Sequence, residues 1–167
     1  TGDGNANYQG HLHHSGYWRD EQDFPLPGTR FTPYYLHVDG TLSPTSPGSH
    51  TPSSFSFDPR DPVPTIGGGI SAADPIMPAG AFDQRGDSRF FGCRDSLPLN
   101  ARSDVLTFQT EPLESNVEVT GPIAVSLYAA SSAHDTDFTA KLIDVCPLSE
   151  DYPYGLAINL TDSIIRT

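Results

Sequence analysis

In the run Ile123–Ala130, Ile123, Val125 and Leu127 fall on one face of an extended chain, with Ala124, Ser126 and Tyr128 on the other. Phe138, Ala140 and Leu142 repeat the alternation within Asp137–Val145. A period of two is the geometry of a strand that covers a core on one side, because successive Cβ atoms point to opposite faces. No window shows the 3.6-residue period of an amphipathic helix. Asp104–Gln109, Asn116–Thr120 and Gly155–Leu160 are further short β-branched or aromatic runs, with turn residues between them. Short strands divided by turns every 8–12 residues or so indicate an all-β sandwich or jelly roll.

The N-terminal half is different, being long and rich in loops. Residues 1–33 carry turn formers and polar groups, including a Pro25-Leu26-Pro27-Gly28 stop. Tyr34–Val38 then reads as a strand, and Asp39-Gly40 before Thr41-Leu42 is a hairpin signal. Between 43 and 80, Ser, Thr, Pro and Gly are dense, and Ser54–Phe57 is the one strand-like run. A phosphate cradle at Gly67-Gly68-Gly69 would need a strand before it and a helix after it. Pro62 and Pro64 precede it and no helical pattern follows, so a tight, close-packed turn is expected.

At 167 residues the chain suits one domain with a sizeable core. Its net charge of −12 repels phosphate backbones and anionic lipid, so neither nucleic acid nor a membrane surface is expected as partner. No apolar run approaches the roughly 20 residues that span a bilayer. Thr1 opens a stretch with neither the basic start nor the apolar segment of a signal peptide, and the chain reads as a piece of something larger. Two cysteines, Cys93 and Cys146, are too few for a disulfide framework or thiolate metal site, and both are expected free and partly buried. They fix no compartment. Asn159-Leu160-Thr161 is a glycosylation sequon that matters only on a secretory route.

Several clusters bear on chemistry. His11, His13 and His14 resemble a His-x-His metal pair, but the nearest glutamate, Glu21, lies eight residues past His13, so no metal or other cofactor is expected. A serine nucleophile wants a Gly-x-Ser-x-Gly elbow, and Gly86-Asp87-Ser88-Arg89-Phe90 lacks the closing glycine, so no catalytic residue is assigned. Asp137 and Asp144 stand seven apart, which on a regular strand sends them to opposite faces, and with Asp135 they read as surface or turn residues. Tyr17, Trp18, Tyr152 and Tyr154 offer a sugar-stacking platform, with core or interface packing as the commoner role.

More specific is a series of short motifs in order. Gly16-Tyr17-Trp18-Arg19, Tyr34-Tyr35-Leu36-His37 with Asp39-Gly40, and Asp58-Pro59 leading to Pro62-Val63-Pro64-Thr65-Ile66-Gly67-Gly68 come first. Asp83-Gln84-Arg85, Asp104-Val105-Leu106-Thr107-Phe108 and Val119-Thr120-Gly121-Pro122 follow. Ser131-Ser132-Ala133 with Asp135-Thr136-Asp137-Phe138, and Lys141-Leu142-Ile143-Asp144-Val145, complete the set. Together they resemble the C-terminal part of the cocaine-esterase-like (CocE/NonD) hydrolases. Relatives of these are the X-Pro dipeptidyl-peptidases, α-amino-acid ester hydrolases and glutaryl cephalosporin acylases.

The resemblance implies a galactose-binding-like β-sandwich over 34–167, reached by a connector, 1–33, leading out of an α/β-hydrolase domain outside this chain. It implies that nucleophile, acid and histidine lie upstream and that this segment, inactive by itself, helps wall the cleft for an ester, amide or peptide substrate. Further strands are expected past Thr167, so the sandwich reads as partial, poorly soluble or self-associating by itself. Asp83, Gln84 and Arg85 are expected near the interdomain contact, with ordinary turn roles as the alternative. A free-standing carbohydrate-binding sandwich is the rival reading.

Overall fold

The computed structural model describes residues 11–12, 18–48, 51–69 and 78–167. The described part is all-β: four strands and a single 3₁₀ turn, Leu99–Ala101, are its regular elements. Strands β1 (Tyr35–Leu36) and β2 (Leu42–Ser43) pair antiparallel around the expected Asp39-Gly40 turn. Gly40 takes φ +85°, a left-handed value open to glycine, and Asp39 Oδ1 accepts the Thr41 amide to close the turn.

The second sheet is a long antiparallel hairpin of β3 (Asp137–Cys146) and β4 (Leu156–Arg166). Its β-branched content suits a pleated, half-covered surface. The connecting loop is closed locally: Tyr152 donates its amide to Ser149 Oγ, and Gly155 at φ +79° donates to the Tyr152 carbonyl. Register slips between Leu142, opposite Thr161, and Ile143, opposite Asn159, which leaves Leu160 as the extra residue of a β-bulge. β4 runs six residues beyond the expected Leu160, because Thr161–Arg166 keeps pairing with Asp137–Leu142.

Two small cores flank this hairpin. Leu12, Cys146, Leu156 and Ile158 form one, with Tyr152 against it. Ile66, Phe90 and Leu99 form the other, joined by Val63, Phe82 and Cys93, with the Phe82 and Phe90 rings edge to face at 5.1 Å. Both cysteines are free thiols, Cys146 buried and Cys93 half-buried.

The expected strands at 54–57, 104–109, 116–120 and 123–130 carry no ladder, apart from a single parallel bridge between Gln109 and Thr41. Ile123, Val125 and Leu127 stand 50–57% exposed. Backbone hydrogen bonding needs a neighbouring strand, and among the described residues none lies alongside 116–130. The N-terminal segment touches this stretch: the Arg19 guanidinium pairs with Glu118, and a Cβ on Gly121 would stand 3.5 Å from Pro25.

Candidate functional site

Asp83, Gln84 and Arg85 sit together on a short extended stitch between β4 and the 97–99 segment. The Gln84 amide donates to the Ala157 carbonyl at 2.8 Å, the Asn159 amide to the Phe82 carbonyl at 3.2 Å, and the Leu99 amide to the Gln84 carbonyl at 2.9 Å. Their side chains have different tasks. Asp83 Oδ1 accepts the Ala157 amide at 3.0 Å. Gln84 is 6% exposed, and its Nε2 donates to the carbonyls of Ile66 (2.9 Å) and Phe82 (3.0 Å). Arg85 donates to the Ser96 carbonyl at 3.1 Å, stands 3.9 Å from Asp83, and lies over the Tyr154 ring at 5.7 Å. Gln84 thus faces inward, while Asp83 and Arg85 remain about one-third exposed.

The stitch is positioned by close backbone approach. Gly67 (φ +65°) and Gly68 (φ +120°) bring the chain against Gly80, with reciprocal Gly68–Gly80 amide-to-carbonyl bonds of 3.0 and 3.1 Å. A Cβ on Gly67 would lie 2.3 Å from the Gly80 carbonyl oxygen. Gly67 and Gly68 are therefore close-packed as expected, but through a bridge to Gly80 rather than a turn, and Gly69 is exposed with nothing within 4 Å of a Cβ placed there. Beside the stitch a shallow recess of about 130 Å³ is lined by Phe82, Asp83, Arg85, Asp87, Arg89 and Phe90. Its rim presents both signs of charge over an aromatic floor, a surface suited to polar contact.

Arginine–aspartate pairs two residues apart recur along the chain, a pattern absent from the sequence-based expectations. Arg60 pairs with Asp58, Arg89 with Asp87 and Arg102 with Asp104. In the first two the Asp also accepts the arginine's own backbone amide, an Asx turn. Hydrogen bonding to Arg102 holds the Asp104 carboxyl below the usual carboxylate range. Arg102 also reaches Asp61, which Arg94 contacts at 3.3 Å. The repeated two-residue spacing was the available signal.

His11 bonds Asp151 through Nδ1 at 2.7 Å, whereas His13, His14 and Tyr17 lie outside the described residues. No group of three or more His, Cys, Asp or Glu able to hold a metal occurs among the described residues. Asp135 makes a two-pronged ion pair with Arg166. Trp18 is fully exposed, Tyr152 packs on a core, and Tyr154 lies beneath Arg85. Asn159 of the sequon is 2% exposed, inside β4.

Residues 2–167 match the family model of the X-Pro dipeptidyl-peptidase C-terminal non-catalytic domain. The chain is 41% identical over 158 residues to the cocaine esterase of Rhodococcus sp. (strain MB1 Bresler), an alignment covering 89% of this chain and 24% of that protein. It therefore spans about a quarter of the length of the curated relative it matches. No solved structure gives a significant match. The ordered motifs, the all-β architecture and a family match across almost the whole chain lead to one assignment: the chain belongs to the X-Pro dipeptidyl-peptidase C-terminal non-catalytic domain family.

Proposed function

We propose that this non-catalytic domain works in a serine hydrolase of the dipeptidyl-peptidase or acyl-esterase kind, packed on an α/β-hydrolase domain of the same protein. In this reading, residues 1–33 lead from that domain and 34–167 build a β-sandwich that walls the substrate cleft. The observation that carries it is the family match over residues 2–167. The partner domain supplies a serine nucleophile and oxyanion hole and cleaves an ester or amide through an acyl-enzyme. Asp83 and Arg85, tied to the fold through Ala157 and Ser96 yet partly exposed, form part of the contact between domains. The uncovered row Ile123, Val125 and Leu127 gains its cover from strands or a domain beyond the described ones.

The test is capture of the native protein with an antibody raised against this chain, followed by a fluorophosphonate probe. A labelled band much larger than 18.0 kDa is the expected result. An unlabelled band at 18.0 kDa overturns the reading.

A further inference from the structure

His11 and Leu12 are bound to the β3–β4 loop by a two-point clip, 139 to 140 residues away in sequence. One Asp151 oxygen meets His11 Nδ1 at 2.7 Å, and the other accepts the Leu12 amide at 3.0 Å. Glu150 stands 3.5 Å from the second imidazole nitrogen, so two carboxylates face one histidine. The clip sets Leu12, 7% exposed, into the core with Cys146, Leu156 and Ile158. Cys146 itself is 5% exposed. An exposed ionic contact thus sits beside a buried apolar plug, and releasing the first weakens the hold on the second.

We propose that His11–Leu12 is a pH-sensitive clip whose release uncovers the Cys146 thiol. Among the described residues, the charged groups around the imidazole are Asp151 and Glu150 of the loop, and Asp144 is the charge acting on Cys146 from β3. The Asp151 hydrogen bond, then the charges of Asp151 and Glu150, raise the His11 pKa above its ordinary value of about 6.5. A raised histidine pKa means the clipped state binds the proton more tightly than the released one. The ionic hold is therefore complete below about pH 6.5 and is lost as pH rises through the raised value.

The test measures N-ethylmaleimide modification of Cys146 in the full-length protein, by peptide mapping, for wild type and His11→Gln at each pH from 5.5 to 8.5. Comparing the same thiol in two variants cancels its own ionisation, and Cys93, in the other core, reports general unfolding. The expected result is Cys146 modification about two- to fivefold faster in His11→Gln at pH 6, the scale of an exposed ion pair. That ratio falls to about 1 by pH 8.5, with the Cys93 rate equal in the two variants at every pH. Leu12→Ala should speed Cys146 modification at every pH, since it removes the plug whatever the charge on His11. Equal rates for wild type and His11→Gln at pH 6, or a ratio constant across the range, overturn the proposal. A Leu12→Ala rate equal to wild type overturns the plug itself.

Discussion

The stitched region around 82–86 and the bare run 116–130 both lie outside the named strands, yet one is locked and the other hangs open. Residues 82–86 lie between β4 and 97–99, so backbone groups on both sides are paired and Phe82 reaches a core. Residues 116–130 are the more β-prone in composition, but among the described residues they gain no ladder and are met by Arg19 at Glu118 and by Pro25 and Thr29 beside Gly121. β-propensity is largely a measure of neighbours, and a strand without a partner is only an extended chain. A polar residue with partners, Gln84, is buried, while Leu127 without them is half exposed.

That contrast can be broken first at Gly67. Alanine there must adopt φ +65° and collide with the Gly80 carbonyl, so Gly67→Ala should destabilise by about 3 kcal/mol, read from its urea midpoint. Gly28→Ala is the control, because φ is also positive there (+93°) but nothing lies within 4 Å, and its cost should be about 1 kcal/mol. Equal losses would mean that the close approach contributes nothing.

Gln84→Leu comes next. It keeps the bulk but removes the side-chain donor to the Ile66 carbonyl and leaves the Phe82 carbonyl with the Asn159 amide, for a loss of about 2 kcal/mol in the same assay. A neutral result would show that the stitch is held by its backbone bonds alone. The smallest effect is expected in the bare run: Leu127→Ala should shift the stability of this chain by less than about 0.5 kcal/mol. A loss of about 2 kcal/mol or more, typical of a core leucine, would mean the row is covered in solution.

Much of the architecture was legible where the signal was local. Asp39-Gly40 fixed the first hairpin, and Phe138, Ala140 and Leu142 marked β3, because turn chemistry and period-two alternation need no knowledge of distant chain. Pairing was not legible. Ile123, Val125 and Leu127 carry the same alternation as β3 but lack a ladder, since the pattern shows which face wants cover and not what supplies it. Asp83-Gln84-Arg85 stood out as a motif, yet the partners that give each side chain its task, Ala157, Ile66 and Ser96, are 11 to 74 residues away. The bulge at Leu160 was equally silent, because a single slipped register leaves no mark on composition.

Asn159 gives the sequon an unusual relation to time. Its side chain lies 2% exposed within β4, while its backbone amide is tied to Phe82. Enzymes that attach glycans need that amide side chain in the open, and the finished strand withholds it. On a secretory route, carbohydrate at Asn159 would be a timestamp: it marks molecules caught before β4 docked, which could no longer seat that strand. Bare Asn159 would mark those that folded first, so glycan occupancy would read out the race between folding and modification.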